Sequence, residues 1–113
     1  MLRSVRCDEA GVSLVERRGE AQAEEKVSWD RIGAVVAYKQ DCYAYDKIYI
    51  ALVDDNGRVK LLVSEDDTGY KSLIEKLPAY LSGCLAPEAW FQRVAFPAFE
   101  TQATELYRSA SKP

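Results

Sequence analysis

Histidine is absent from the 113-residue sequence. Imidazole is the side chain whose charge changes near neutral pH, and it is the base of Ser-His and Cys-His nucleophile pairs. Enzymes that depend on such pairs, and metal sites with histidine ligands, are therefore excluded. Catalysis by this chain would have to use carboxylates or a thiol.

Paired cysteines are also lacking. Cys7, Cys42 and Cys84 lie far apart and form no CxxC motif. An odd number of cysteines cannot all pair in intrachain disulfides, so we expect reduced thiols in a reducing compartment. No complete set of metal ligands is visible in the sequence, and we expect no metal and no other cofactor.

Two further absences concern basic charge and long apolar runs. The 15 basic residues are outnumbered by 18 acidic ones, which leaves a net charge of −3. Nucleic-acid binders usually carry a basic surplus, so nucleic acid is not an expected partner. No apolar run approaches the roughly 18 residues that span a bilayer, and the amino terminus lacks an apolar signal region. We expect no stable membrane insertion and predict a bacterial cytoplasmic location.

The amino-terminal part of the chain predicts a series of short strands. Apolar and polar residues alternate through 4–7 and 11–17, on either side of a turn at 8–11. Residues 21–28 are polar enough for an edge strand, and 29–32 favour a single turn. The segment 34–38 is apolar on both faces, which predicts a central strand.

A hairpin is predicted between the β-rich segments 48–53 and 58–63. Asn56 and Gly57 lie between them, and both residues tolerate a positive φ, so this dipeptide is a strong hairpin signal. The residues that alternation places on one face of each strand are Ile48, Ile50, Leu52, Val59, Leu61 and Val63. The polar and aromatic residues 39–47 predict an irregular connection before this hairpin.

A helix is predicted where the hydrophobic period changes after residue 64. Its apolar stripe at i, i+3, i+4 and i+7 consists of Tyr70, Leu73, Ile74 and Leu77. We expect Ser64 or Asp67 to cap this helix, with the acidic run 65–67 at its positive end and Pro78 limiting its extension.

A second, short helix is predicted to start at Pro87, because proline suits a first helical turn. Residues 101–108 fit both a last strand and a helical turn. The aromatic side chains expected in the core are Trp29, Tyr70, Trp90, Phe91, Phe96 and Phe99. Strands followed by helical segments predict one α+β domain over residues 1–113, with an ordered core at about 3–108.

Residues scattered from position 29 onward carry a family resemblance. They comprise the segments 29–32, 37–41, 45–48 and 64–66, with Gly69, Tyr70, Leu73, Leu77, Pro78, Trp90, Val94, Pro97, Ala98, Phe99, Leu106 and Tyr107. Together they resemble small bacterial proteins with a pleckstrin-homology-like fold, over about residues 29–107. The resemblance implies a bent antiparallel sheet or partial barrel closed by C-terminal helical segments. It implies no activity, since that fold hosts many unrelated functions.

The segment 39–47 holds the strongest candidate for a binding surface. Its candidate contact residues are Lys39, Asp41, Tyr43, Tyr45 and Asp46. Tyrosines beside charges are frequent in protein interfaces, because the ring buries area while the hydroxyl forms hydrogen bonds. The alternative is structural: the tyrosine rings would shield one end of the barrel, and Asp46 would fix the loop by bonding its backbone.

Carboxylates offer a weaker, catalytic alternative. Asp54 or Asp55 could pair with the acidic run 65–67, and two carboxylates in a cleft can act as acid and base. The other interpretation is a hairpin turn and a helix-start charge cluster. A calcium loop does not fit around Gly57, because leucine and valine would occupy two of its ligand positions.

Two further sites were weighed against their structural alternatives. Arg17 and Arg18 lie where lipid-binding domains of this resemblance often present cations, but two glutamates flank them. Cys42 could be an exposed thiol, but it has no histidine base and an adjacent aspartate opposes its ionisation.

The sequence thus favours a non-enzymatic domain that binds another protein, through the loop tyrosines or through the edge strand 21–28. The alternatives are a phosphoinositide or other lipid-headgroup binder, a small carboxylate-using enzyme, and an immunity-type protein that neutralises a basic toxin. No particular oligomeric state is indicated.

Overall fold

The computed structural model describes residues 2–41, 46–95 and 103–109. Within these ranges the strands are β1 (Leu2–Asp8), β2 (Gly11–Arg18), β3 (Ala21–Val27), β4 (Ile32–Asp41), β5 (Asp46–Asp54), β6 (Val59–Ser64) and β7 (Ala103–Arg108). The helices are α1 (Tyr70–Tyr80) and α2 (Pro87–Ala95), and a single 3-10 turn occupies Trp29–Arg31. The chain is an α+β protein, as the sequence predicts.

The first sheet is antiparallel and has the order β1-β2-β3. It confirms the strands predicted at 4–7 and 11–17 and the turn between them. In this sheet β3 pairs with β2 alone, and its side chains are exposed from Ala21 to Lys26. The prediction of a polar edge strand at 21–28 is therefore confirmed.

The second sheet is antiparallel and has the order β6-β5-β4-β7. The central position of β4 confirms the prediction from its two apolar faces. After both helices the chain returns to β4 as β7, which settles 101–108 in favour of a strand over its described part. The outer edge of β7 is partly covered, because the Leu85 N–H donates to the Leu106 carbonyl at 3.0 Å.

The connection predicted at 39–47 is shorter than expected. Strand β4 continues through Asp41 and β5 begins at Asp46, with Lys39 opposite Ile48 and Gln40 opposite Lys47. The backbone ladder extends through these polar residues because strand pairing uses main-chain groups, which every side chain permits. The remaining loop residues, 42–45, lie outside the described ranges.

The hairpin between β5 and β6 is confirmed, with one side chain on a different face from the prediction. The register passes from Leu52 opposite Leu61 to Val53 opposite Val59, so Lys60 is an additional residue. Such a bulge moves the residue beyond it to the other face of the sheet. Val59 is consequently 59% exposed, while Leu61 and Val63 are buried as predicted.

Helix α1 begins later than its predicted caps. Its N-cap is Gly69, and the first turn holds no acidic residue. The run 65–67 precedes the helix. Asp67 does not cap it, because its carboxylate accepts a hydrogen bond from the Ser64 N–H instead. The helix also runs two residues past Pro78, which lies in its last turn, so Pro78 does not itself end the helix.

The core fills the space between the two sheets and the helices. Helix α1 packs against β1, and α2 packs against β7 and β4. Trp90 and Val94 are fully buried, whereas Phe91 is 43% exposed, unlike the core position predicted for it. Phe91 follows Trp90 directly, so it points about 100° away around the helix. The predicted core residues Phe96 and Phe99 lie outside the described ranges.

The two sheets are joined by Arg3 of β1. Its guanidinium donates to both carboxylate oxygens of Asp67, at 2.9 and 3.2 Å, and to the Leu62 carbonyl at 2.7 Å. The Asp67 carboxylate accepts in turn from the Ser64 N–H at 2.8 Å. Leu62 and Ser64 lie two residues apart on β6, so both direct backbone groups to the same edge of that strand. The side chains of Arg3 and Asp67 form hydrogen bonds with these groups, which no described strand pairs. A bridge between Ser4 and Thr68 reinforces the junction.

Replacing Leu73 by alanine should lower the free energy of unfolding by about 2–5 kcal/mol, because its side chain is almost fully buried in the core. Lys71, on the exposed side of α1, provides the control, and Lys71→Ala should cost under about 0.5 kcal/mol. Urea denaturation of both variants measures the difference. Equal losses would contradict the assigned face of α1.

Candidate protein-binding surface

The predicted contact residues at 39–46 are not brought together as one described surface. Lys39 lies on the core-facing side of β4 and is only 2% exposed, which differs from the exposed loop position expected for it. Asp41 and Asp46 pair with each other at the ends of β4 and β5. Tyr43 and Tyr45 lie outside the described ranges, and their contact role stays a prediction.

Tyr38 precedes this segment and points to the other side of β4. Its ring stacks on that of Tyr49, with the centroids 5.5 Å apart and the planes at 19°. The two residues are opposite each other in the β4–β5 ladder. Cross-strand aromatic pairs of this kind stabilise a sheet, and they also offer a rigid aromatic surface to a partner.

The stack belongs to an apolar surface on the outside of the second sheet. We call it the outer apolar face, and it consists of Val36, Tyr38, Tyr49, Ala51, Val53, Val59 and Leu62. These residues alternate with the core residues of β4, β5 and β6, and the bulge at Lys60 adds Val59 to them. Both faces of this sheet are therefore apolar.

No described element packs on the outer apolar face. The helices contact the structure through β1, β4 and β7, and their buried side chains join the cluster formed by the opposite face of the sheet. Val59 and Leu62 remain 59% and 36% exposed, Ala51 is buried, and the other side chains of the face are half-buried. Contiguous exposed apolar surface of this kind marks interaction sites.

A groove of about 410 Å³ borders the outer apolar face at β6. We call it the Leu2 groove, and it is lined by Leu2, Arg3, Lys47, Tyr49, Leu62, Ser64, Asp66, Asp67 and Thr68. Apolar walls come from Leu2, Tyr49 and Leu62. An ion pair between Lys47 and Asp66, at 2.8 Å, lies at its polar end. The groove can take an apolar side chain beside a fixed polar contact.

The carboxylates proposed as a catalytic pair are not brought together. Asp54 closes the hairpin turn, where its Oδ1 accepts from the N–H groups of Asn56 and Arg58, both at 2.9 Å. Both hydrogen bonds lower the pKa of Asp54, and the one from the Arg58 N–H has the larger effect. The run 65–67 follows the other end of β6, and six residues of strand separate the two groups by about 20 Å.

The arginines weighed as a lipid site do not converge. Arg17 and Arg18 are consecutive in β2, so their side chains leave opposite faces of the sheet. Arg17 donates to the amide oxygen of Gln22 at 2.7 Å. A concavity of about 470 Å³ at the other end of β2 is lined by Arg6 and Lys26 together with Asp8 and Glu24, so its charges are mixed.

The described cysteines are shielded thiols. Burial raises the pKa of the Cys84 thiol to about 11, and it also raises the pKa of the Cys7 thiol. Cys84 is buried and Cys7 is half-buried. Cys42 lies outside the described ranges. Within the described ranges, no group of three or more cysteine, aspartate or glutamate side chains is placed to hold a metal ion.

The raised pKa of Cys84 predicts slow alkylation in the native protein. At pH 8 only about one thiol in a thousand would be ionised, and burial further blocks the reagent. We expect Cys7 to react with iodoacetamide faster than Cys84, and the two to react at similar rates in urea. Peptide mapping by mass spectrometry assigns each site. Fast native labelling of Cys84 would contradict its burial.

The chain matches no protein-family model, no curated protein and no solved structure. No helix in the described part of the chain is long and apolar enough to cross a membrane. Sequence reasoning identified 34–38 as a strand with two apolar faces, but it did not identify Tyr49, Leu62 or Leu2 as surface residues. The signal for Tyr49 was present in the unbroken apolar run 48–53, which is typical of a strand with two apolar faces.

Proposed function

We propose that this chain is a non-enzymatic domain that binds another protein through the outer apolar face. The observation that supports this most directly is the stacked pair of Tyr38 and Tyr49 within an apolar sheet face on which no described element packs. Aromatic anchors surrounded by aliphatic side chains are typical centres of protein interfaces. The Leu2 groove extends the same surface and adds a polar contact at its border.

The proposal includes the pleckstrin-homology-like fold, the bacterial origin and the cytoplasmic location that the sequence predicts. Two antiparallel sheets that meet at Arg3, with both helices on the core side of the second sheet, support the fold assignment. One feature departs from a sheet closed by C-terminal helical segments, because β7 follows the helices and rejoins the sheet. The binding proposal depends on the surface and not on the family.

Site-specific photo-cross-linking tests the proposed function. A photoreactive amino acid at position 62 lies on the outer apolar face, and one at position 91 is a matched control, because Phe91 is an exposed apolar residue on α2. In cells that express the protein, we expect position 62 to give discrete protein adducts that position 91 does not give.

Loss of the adducts on Val59→Lys would support the face as the contact surface, since Val59 is exposed and the substitution should spare the fold. Adducts that survive Val59→Lys, or that form equally from positions 62 and 91, would contradict the proposal. If a partner cross-links only to a photoreactive residue placed in the edge strand β3, the interface lies there instead.

A further inference from the structure

We infer that the protein covering the outer apolar face is a second copy of this chain, in a two-fold dimer with the two sheet faces packed together. This inference rests on the proposed function, because it names the partner of the same surface. In a two-fold interface the same patch must fit itself, so projections and hollows have to occur on one surface. The described residues meet that condition in shape and in charge.

Shape complementarity comes from Leu2 and the Leu2 groove. Leu2 is 71% exposed, the highest value among the large apolar side chains of the described residues. The groove of about 410 Å³ adjoins it, at the border of the outer apolar face. One surface thus carries both a projecting side chain and a hollow with apolar walls. Two-fold symmetry lets each copy insert Leu2 into the groove of the other.

Charge complementarity comes from ion pairs at two borders of the face. Lys47 pairs with Asp66 at 2.8 Å beside β6, and Arg108 pairs with Glu105 at 2.7 Å on β7. Each pair is neutral, so two copies of the face meet without opposing net charges there.

The edge strand β3 is a poorer surface for self-association. Glu24 and Glu25 follow each other along it, and Glu20 precedes it. Pairing two copies of this edge would bring like charges close together, and charged edges of this kind generally prevent strand addition. Compared with β3, the outer apolar face combines more apolar surface with ion pairs at its borders that are neutral.

The dimensions of the face set the expected affinity. Three strands at a spacing of about 4.8 Å and six residues of about 3.3 Å each give a face of roughly 14 by 20 Å. This is smaller than the roughly 800 Å² per partner of a standard stable interface. We therefore expect a weak, concentration-dependent dimer with a dissociation constant between about 10 μM and 1 mM.

Analytical ultracentrifugation of the purified chain, from about 1 μM to about 1 mM, tests the dimer. The weight-average mass should rise from 12.7 kDa toward twice that value. Leu62→Lys and Leu2→Lys should weaken association at least about tenfold, while Phe91→Lys should change it less than about twofold. Because the borders are already neutralised, added salt should not weaken the dimer.

A chain that stays monomeric throughout this range would overturn the inference. So would a dimer that Leu62→Lys leaves intact, or one that dissociates as salt is added. If the purified chain is monomeric but position 62 still cross-links to a different protein in cells, the inference fails while the proposed function stands. If position 62 gives no protein adduct of any kind, both fail.

Discussion

Gly69→Ala is expected to remove most of the stability of the fold, or to prevent folding. Gly69 has φ +93°, where an L side chain is strained by about 1–3 kcal/mol. An added methyl group would also lie 2.1 Å from the Val5 carbonyl oxygen, so the backbone of β1 or the start of α1 must shift. The expected loss is at least about 3–5 kcal/mol, from a total of about 5–15 kcal/mol for a typical domain.

Gly83→Ala is the matched control for this substitution. Gly83 has φ +87°, close to that of Gly69, but no atom lies within 4 Å of a methyl group built there. The control should therefore cost only the backbone strain, about 1–3 kcal/mol. Thermal and urea unfolding of both variants give the difference. Equal losses would mean that the contact between residue 69 and β1 is not close in the folded protein.

Asp67→Ala should have the second largest effect, a loss of about 3–5 kcal/mol in the free energy of unfolding. The Asp67 side chain is only 4% exposed, and its removal leaves the Ser64 N–H without its acceptor. The Arg3 guanidinium loses both of its hydrogen bonds to Asp67 and keeps only Glu16 and the Leu62 carbonyl as partners. The hydrogen bonding that Arg3 donates to Asp67 is also the main cause that raises the pKa of Arg3. Guanidinium groups stay protonated in proteins, so the arginine cannot escape the loss by giving up its proton.

Asp66→Ala is the control for this prediction. Its ion pair with Lys47 is as short as a hydrogen bond, but the Asp66 side chain is 66% exposed. Exposed pairs contribute at most about 1 kcal/mol, because water and salt screen them. Urea unfolding of the two alanine variants should therefore separate them clearly. If Asp66→Ala cost as much as Asp67→Ala, the role of Arg3 and Asp67 as the junction of the sheets would be wrong.

The parts of the fold that depend on neighbours in sequence could be predicted from the sequence. Alternation located the strands of the first sheet, and the Asn56–Gly57 dipeptide located the hairpin. The i, i+3, i+4 pattern placed Leu73 on the buried side of α1. Each of these signals is local, and each was confirmed.

The predictions that were wrong concern residues whose contacts are with partners far away in the sequence. Asp67 was expected to cap a helix, but Arg3 reaches it across the fold from β1. Val59 was expected on the same face as Leu61 and Val63, but a bulge in the ladder with β5 turns it outward. Neither the long-range ion pair nor the bulge leaves a mark in the adjoining sequence, so local pattern reasoning could not find them.

The candidate surface was predictable only in part, for a related reason. The sequence predicts that 34–38 is a strand with two apolar faces, and it predicts one apolar face for the strand 48–53. It does not say which face the helices cover. That choice depends on how α1 and α2 pack against β1, β4 and β7. Tyr49 and Leu62 become surface residues only because both helices cover the other face.

The return of β7 to β4 has a consequence for how the protein folds during synthesis. Tyr38 pairs with Ala103 and Ala34 with Arg108, so about 65 to 75 residues separate the paired positions. The β4–β5–β6 meander can form early, but one edge of β4 stays open until β7 has been translated. An apolar strand with an open edge is a template for pairing with other chains. Nascent chains that stall before residue 103 should therefore aggregate more readily than chains that have passed it.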